Sequence, residues 1–470
     1  MQKTLNSWLE AISGQMYGSW LIILLLGGGI WFFIATRALP VRLAGEAIRV
    51  VAEPPSEKDS MSSFRALMVS TASRVGVGNI AGAASAVALG GAGAVFWMWV
   101  VAVVGSSSAF IESTLAQIYK RRNPENDASY GGPAYYIEAA LKQRWLGIVF
   151  AVALIATYFG GFNMVASFTV ASSFENYSFH SSSTPLVVGA VLAILVIGSI
   201  MGGPQKLSSV TAVLVPAMAI VYIVMCLAVI VTHIGALPGA IGQIFSEAFT
   251  FSAAGGGLLG AAVMNGIKRG LYSNEAGVGS APNAAASASV SHPVKQGLVQ
   301  MLSVWIDTLL ICSATAFAVL CSGVVGSDKL NGVPFVQEAM ATTFGSFGHM
   351  FVTICLCVFA FTTLIGNYFY AEINLQYLFN NKAPLFTLIT FRICAALIVL
   401  LGATLEFALV WNLADVLMGV MVFINMPVLF VLGKHAIRAG QDYIAQRKAG
   451  KNPVYIAANN GVTEATDYWK

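Results

Sequence analysis

Thr71-Ala72-Ser73-Arg74-Val75-Gly76-Val77-Gly78-Asn79-Ile80-Ala81-Gly82 lies in the middle of an apolar segment that runs from about Phe64 to Gly90. An uninterrupted membrane helix would not choose this composition. Gly76 and Gly78 weaken helix, Ser73 and Asn79 are polar, and Arg74 carries charge. Backbone released from helix inside a bilayer must be satisfied by protein or by something bound. Transporters use such breaks as binding sites, with half-helix ends aimed at ions and charged groups. The alternative is a glycine-rich packing face, since small residues let membrane helices approach closely. The rest of the chain decides between them.

Of 470 residues, 57% are hydrophobic and only 10% charged, and the mean hydropathy is +0.75. A soluble domain is about a quarter charged, so the composition reads as an all-α polytopic membrane protein with the lipid bilayer as its partner. The six cysteines fall almost entirely in apolar segments and read as small core residues, not as a disulfide or metal set. The first residues, Met1 to Tyr17, are polar and mixed and do not form a cleavable signal. No phosphate loop, nucleophile elbow or zinc motif is present, which argues against nucleotide-driven, hydrolytic or metalloenzyme chemistry. Nothing points to nucleic acid, an organic cofactor or an obligate protein partner.

Outward from the quoted stretch, Tyr17–Thr36 is a first span of about the 20 residues a bilayer demands, after a short amphipathic lead. Further spans are expected near Gly93–Gln117, Trp145–Ser173, Pro185–Met201, Ser208–Thr232, Gly297–Ser322, His349–Leu378, Leu385–Leu401 and Phe407–Leu432. With Phe64–Gly90 and a second broken segment, Gly256–Val290, this makes eleven helices. The loop Asp127–Arg144 is too charged to cross, and Tyr135–Lys142 within it suits an amphipathic helix on the membrane surface. The tail Gly433–Lys470 is polar and expected to be short on structure.

Basic residues concentrate in Arg37–Lys58, Lys120–Arg144, Lys206, Lys295, Lys382 and from Lys434 onward. They are nearly absent from Glu175–Thr184, His233–Gly255 and the turn near Glu406. The asymmetry puts the N-terminus outside and the C-terminus in the cytoplasm. The expected division is an anchor helix and cytoplasmic linker (1–63), a five-helix repeat (64–232), an extracellular linker (233–255), a second five-helix repeat (256–432) and a cytoplasmic tail (433–470). The two halves enter the membrane from opposite sides and each opens on a broken helix. That is the sequence pointer to an inverted-repeat transporter with its site at the midplane.

The amides of Gly76, Val77 and Gly78, at the start of a half-helix, are where a carboxylate would be held. Carbonyls near Ala72 and Val75, at the end of the preceding half-helix, are hard ligands suited to a small cation. In the second segment the break is expected over Lys268–Gly279, with Gly270, Tyr272, Ser273 and Asn274 facing the first break and Tyr272 closing over a small side chain. Lys268 and Arg269 otherwise read as a solvated helix end, and Glu275 as an internal salt bridge to Arg74. Asp307, in an apolar span, needs a partner, which is a cation, a proton or Arg74. Glu112, Glu372, Arg392 and Asp415 read as structural pairs or helix ends.

Gly90-Gly91-Ala92-Gly93-Ala94-Val95-Phe96-Trp97-Met98-Trp99, followed by Gly105, resembles the signature of the alanine/glycine:cation symporter family. So do Arg74–Asn79, Phe110–Gln117, Gly131–Tyr136 and Ser273–Gly277, and the resemblance covers nearly the whole chain. It implies the LeuT-type fold, here a 5+5 inverted repeat with one extra N-terminal helix, in a bacterial-type plasma (inner) membrane. It also implies uptake of small neutral amino acids with sodium, sometimes with protons. By the same likeness, amides of Val77 and Gly78 would hold the substrate carboxylate beside Arg74. Carbonyls of Ala72 and Val75 with hydroxyls of Thr362 and Thr363 would face a sodium ion, unless those threonines bond their own helix. Asn79 and Asp307 resemble residues of a further cation site. Relatives commonly carry glutamine where this chain has Ala166, at the border of the substrate, so a larger neutral substrate such as glutamine becomes an expectation beside alanine and glycine.

The function expected is secondary symport driven by a sodium gradient. Proton coupling, a non-transporting amino-acid sensor on the same fold and a membrane-embedded enzyme are the rivals. The absence of a paired catalytic set speaks against the last, and the short tail against a signalling role.

Overall fold

The apolar runs become helices that start and stop close to where the hydropathy changes. The computed structural model describes residues 2–57, 60–123, 127–201, 203–250, 260–464 and 466–469. Lys58 and residues 251–259, where the extracellular linker is expected to meet the second broken segment, lie outside the described residues.

Helix α1 (Gln2–Gln15) passes through a π-helical turn at Met16–Trp20 into α2 (Leu21–Ala35), so the amphipathic lead is continuous with the first span. Thr36 closes α2 by donating to the Phe32 carbonyl at 2.7 Å, and the chain turns into α3 (Leu39–Arg42) and α4 (Ala44–Val51). Helix α5 (Ser63–Arg74) is capped by the Ser62 hydroxyl, which accepts from the Arg65 amide. It stops at Val75, and after a π turn at Gly78–Gly82 the segment resumes as α6 (Ala83–Gly90). Then come α7 (Gly93–Ile118), an antiparallel hairpin of β1 (Arg121–Arg122) and β2 (Ser129–Tyr130), and α8 (Pro133–Leu141). Helices α9 (Arg144–Leu154) and α10 (Asn163–Ser172) are joined by a π segment, Ile155–Phe162, and α11 (Thr184–Ile200) and α12 (Gly203–Thr232) follow.

The remainder is α13 (Leu237–Glu247), α14 (Ala261–Asn274), the short α15 (Ala281–Ala286), and α16 (Val294–Trp305) joined through π-helical Ile306–Cys312 to α17 (Ser313–Cys321). Helices α18 (Gly332–Phe344), α19 (Ser346–Leu378), α20 (Leu385–Ala403) and α21 (Phe407–Lys448) complete the described set. Among the described residues, eight helices are long and apolar enough to cross a membrane. They are the expected spans less Thr184–Ile200 and the two broken segments, whose pieces are each shorter than the roughly 20 residues a bilayer asks for. Side chains such as Ile194, Val213, Leu385 and Phe386 are exposed, forming the apolar exterior of a multi-pass membrane protein.

Small residues set the close packing. A Cβ on Gly266 would run into α7 at Ala94, and one on Gly297 would meet Phe110 on the other face of that helix. The broken segment thus lies against α7 at backbone distance.

Two expectations fail. Helix α8 does not lie on the membrane surface: Tyr135, Tyr136 and Ile137 are buried, and the Tyr136 hydroxyl donates to Asn425 Oδ1 at 2.6 Å. The tail is not short on structure. Helix α21 runs far past Leu432, and residues beyond it return across the bundle's basic end. There the Tyr455 amide donates to the Ser291 carbonyl at 3.1 Å, and Trp469 Nε1 to the Gln117 carbonyl at 2.7 Å. Two buried aromatics, Tyr455 and Trp469, anchor an otherwise polar stretch. The linker before α5 joins the same surface through Met61 paired with Ala288 and Glu53 bonded to Lys295 at 2.7 Å.

Candidate functional site

The first break is built from Val75 and Gly76. Val75 is extended (φ −76°, ψ 104°) and ends α5. The Gly76 amide finds its acceptor in a side chain, Asn79 Oδ1 at 2.8 Å. Val77 and Gly78 open the next helical stretch, where the first amides have no intrahelical acceptor. Beside the break, Thr363 of α19 donates to the Ala72 carbonyl at 3.1 Å, whereas Thr362 donates to Phe359 of its own helix at 2.8 Å. A Cβ on Gly76 would collide with the Thr363 hydroxyl, so glycine here is what lets α19 reach the break.

The second break begins later than the sequence suggests. Helix α14 runs unbroken through Gly270, Leu271, Tyr272, Ser273 and Asn274. It ends at Glu275, in the left-handed conformation (φ 53°), and the chain then turns through Gly277 (φ 81°) and Gly279 (φ 92°). Gly270 faces away from the first break: a Cβ there would lie 3.3 Å from Met98 Cα on α7. Its glycine serves packing, and the tertiary contact outweighs its weak helix propensity. Tyr272 and Ser273, two and three residues on, do meet the first break. A Cβ on Gly78 would stand 3.1 Å from both Tyr272 Cδ1 and Ser273 Cα.

A buried polar cluster joins the two. Asn79 Nδ2 lies 2.8 Å from Asp307 Oδ1, 3.0 Å from the Asp307 carbonyl, 3.1 Å from Ser273 Oγ and 3.2 Å from Cys312 Sγ. The other carboxylate oxygen, Asp307 Oδ2, accepts from Ser273 Oγ at 2.7 Å and Thr308 Oγ1 at 2.9 Å. Asn274 donates to Thr308 at 3.2 Å and accepts from the Ala276 amide at 3.1 Å, so it shapes the turn. Asp307 is fully buried and has no ion pair among the described residues. Its partners are neutral donors, Asn79 on one oxygen and Ser273 and Thr308 on the other.

Arg74 is engaged elsewhere. Its Nε stands 3.7 Å from Glu275 Oε2, and Glu275 also accepts from Ser73 at 3.2 Å and Ser280 at 2.6 Å. The three guanidinium nitrogens have no hydrogen-bond partner among the described residues. Glu112 accepts from the Gly277 amide at 3.3 Å and from Asn425 at 2.9 Å, fastening α7 to the second break. Lys268 and Arg269 are not a solvated helix end: both are buried, Arg269 pairs with Asp415 at 3.1 Å, and Lys268 donates to Ser13 at 2.8 Å.

Aromatic rings wall the site. Tyr272 sits between Phe162 and Trp411, with centroids 4.5 and 4.7 Å away, and the Arg269 guanidinium lies over Trp411 at 4.1 Å. Ala166, on α10, is buried four residues after Phe162, the last residue of the π segment. Sequence reasoning missed Phe162, Trp411, Thr308 and Cys312. It also missed the π turns at Gly78–Gly82, Ile155–Phe162 and Ile306–Cys312, which supply Asn79, Phe162 and Asp307. Such turns recur at functional sites but leave little trace in composition.

The profile of the sodium:alanine symporter family matches residues 2–457 of this chain. The chain is similar to a protein of Bacillus subtilis (strain 168) named a probable sodium/glutamine symporter, GlnT, at 43% identity covering 98% of this chain and 96% of the relative. It is similar also to the sodium/alanine symporter AgcS of Methanococcus maripaludis, at 36% identity covering 91% and 94%. Among solved structures, MhsT in complex with L-phenylalanine superposes with a TM-score of 0.60 at 12% identity, covering 82% of this chain and 93% of that one. A manganese transporter of Eremococcus coleocola gives 0.52 at 12% identity, covering 83% and 88%. At such identities the likeness is one of fold, and that fold is of the LeuT type.

Proposed function

The chain belongs to the sodium:alanine symporter family, and from that premise we propose that it couples sodium influx to uptake of a small neutral amino acid by alternating access. The observation that carries this reading is Asn79. One side chain caps the Gly76 amide and bonds both Ser273 and Asp307, so the first break, the second segment and a buried carboxylate form one unit. In this reading the substrate carboxylate rests on the amides of Val77 and Gly78, with Tyr272, Phe162 and Trp411 around its side chain. Sodium takes the carbonyls of Ala72 and Val75 and the hydroxyl of Thr363, with Thr362 turning from Phe359 to join it. Asn79, Ser273 and Asp307 hold a further cation. Arg74 tunes the site through Glu275. Gly270 and Asn274 support the break from behind.

The two five-helix repeats, 64–232 and 256–432, move against each other around this unit, between the anchor 1–63, the linker 233–255 and the tail 433–470. The basic end faces the cytoplasm of a bacterial inner membrane and the N-terminus lies outside, which the loop charge supports. The substrate is alanine, glycine or a larger neutral amino acid such as glutamine. The small Ala166 beside Phe162 and the resemblance to a probable glutamine symporter favour the larger one.

The test is uptake into proteoliposomes from a panel of neutral amino acids under an inward sodium gradient, repeated with potassium and with a proton gradient. Uptake in sodium alone is expected. Uptake driven equally by protons without sodium would replace the coupling ion, and no uptake of any neutral amino acid would end the reading.

A further inference from the structure

At the basic end, where α2 and α21 finish side by side, lies a cavity of about 410 Å³ whose lining includes Arg37, Leu39, Arg42, Ile437, Ile444 and Lys448. The corner that forms it is costly. Arg37 and Ala38 both take positive φ, 55° and 54°, which side-chain-bearing residues avoid unless the surroundings hold them there. Arg42 folds back over this corner and donates to the Arg37 carbonyl at 3.3 Å. Three cations, from the turn after α2, from α3 and from α21, thus share one hollow, and no carboxylate lines it.

What sets the hollow apart is that its three cations converge on one concave site with no carboxylate in its lining. Arg49, Arg121, Arg122, Arg144, Lys295 and Arg447 each have an acidic partner within 4.0 Å. Arg37, Arg42 and Lys448 have none among the described residues. Cations left unpaired in a concave site ask for an anion from outside. The rest of the lining says which kind. Leu39, Ile437 and Ile444 are apolar, and a small hydrated anion would leave them unmatched. Along the same two helices, toward the membrane interior, Ile30, Ile34, Phe430 and Val431 are exposed. Phe32 stacks on Phe430 at 5.3 Å, so α2 and α21 form a continuous seam leading from the lipid-facing surface into the hollow.

We propose that this cavity holds the headgroup of an anionic phospholipid, its phosphodiester among Arg37, Arg42 and Lys448 and its acyl chains along the α2–α21 seam. The volume falls within the roughly 300–1,000 Å³ of ordinary small-molecule sites, and basic residues at a membrane surface attract anionic lipid. The lipid would fasten the extra N-terminal helix to the last helix of the bundle. This site is separate from the transport site, so either proposal can fail without the other.

The test uses the full chain purified in detergent, with phosphatidylglycerol, phosphatidylcholine and inorganic phosphate as probes. Co-isolated lipid is read by native mass spectrometry and thermal unfolding is followed beside it. Phosphatidylglycerol is expected to bind at one copy and raise the melting temperature, while phosphatidylcholine and inorganic phosphate do not. The variant R37Q/R42Q/K448Q should weaken phosphatidylglycerol binding by about 100-fold, and Lys448→Gln alone, at an exposed helix end, by about fivefold. Lys142→Gln with Lys382→Gln, a loss of two charges outside the cavity, should leave it unchanged. Equal binding by parent and K448Q, equal binding of phosphatidylcholine, or a matching effect of inorganic phosphate would each overturn the proposal.

Discussion

Asn79 Nδ2 stands 2.8 Å from Asp307 Oδ1, so the residue that caps the first break also holds the carboxylate of the π turn at Ile306–Cys312. The two halves of the chain therefore share one hydrogen-bonded unit at the centre of the bundle. A change in the donors around Asp307 reaches the Gly76 amide through a single side chain.

Replacing Asp307 with Asn keeps the shape and removes the charge. Three donors then face a neutral amide, and one must lose its acceptor. Sodium-driven uptake is expected to fall roughly 10- to 100-fold, the scale of about 1.5–3 kcal/mol for a hydrogen bond to a charged group. Initial uptake rates against sodium concentration check this. A parent-like sodium dependence would remove Asp307 from the ion-binding unit.

The two adjacent threonines should behave differently. Thr363 reaches the Ala72 carbonyl, and Thr362 reaches Phe359 of its own helix. Thr363→Ala is expected to raise the half-saturating sodium concentration about five- to tenfold while sparing the maximal rate, as for one lost hydrogen-bonding group. Thr362→Ala should do less. The same shift in both would mean that the orientation seen here does not decide the ligand.

Gly78→Val should abolish substrate binding without unfolding the protein, because the branched side chain covers the amides and presses on Tyr272 and Ser273, 3.1 Å away. Gly76→Ala should instead push Thr363 aside and act on sodium first. Equilibrium binding of labelled amino acid, measured with size-exclusion profiles, separates the two effects.

Arg74→Met leaves Glu275 buried without its cation and should destabilise the protein by about 3–5 kcal/mol, the range for breaking a buried pair. Adding Glu275→Gln should recover much of that loss. Thermal unfolding of the two single variants and the double variant closes the cycle. Purely additive losses would show that the 3.7 Å pair carries no coupling.

At the basic end, hydrogen bonds from Arg49, aided by Tyr443, hold the Glu46 carboxyl down from 4.5 to about 2 against the opposing effect of burial. A depressed carboxyl contributes stability that is complete above its unfolded value and lost as pH falls through its folded one. The melting temperature should therefore drop between pH 4.5 and about 2, and Glu46→Gln should flatten that part of the curve. Parallel curves would contradict the assignment.

The first break was legible because Gly76, Gly78 and Arg74 contradict a spanning helix on their own. The second was misplaced by several residues because Gly270 looks like a helix breaker in sequence, while Met98 across the interface makes it a packing residue. The positive-φ residues of the turn itself, Glu275, Gly277 and Gly279, give no stronger local signal than Gly270 does. Asp307 stood out as a carboxylate in an apolar run, but its donors, Ser273 and Thr308, and the pairing of Arg74 with Glu275 depend on tertiary placement. The buried tail was hidden for the same reason: Tyr455 and Trp469 are two aromatics in a polar stretch, and only the surface they meet gives them order.

The central claim is that the two breaks bind an amino acid and sodium together. Its most direct test is equilibrium binding of labelled L-alanine and L-glutamine to the purified protein in sodium and in potassium. Binding of at least one of them in sodium, its loss in potassium and its absence in Gly78→Val are expected. Equal affinity in both salts, or retained binding by Gly78→Val, would contradict the account.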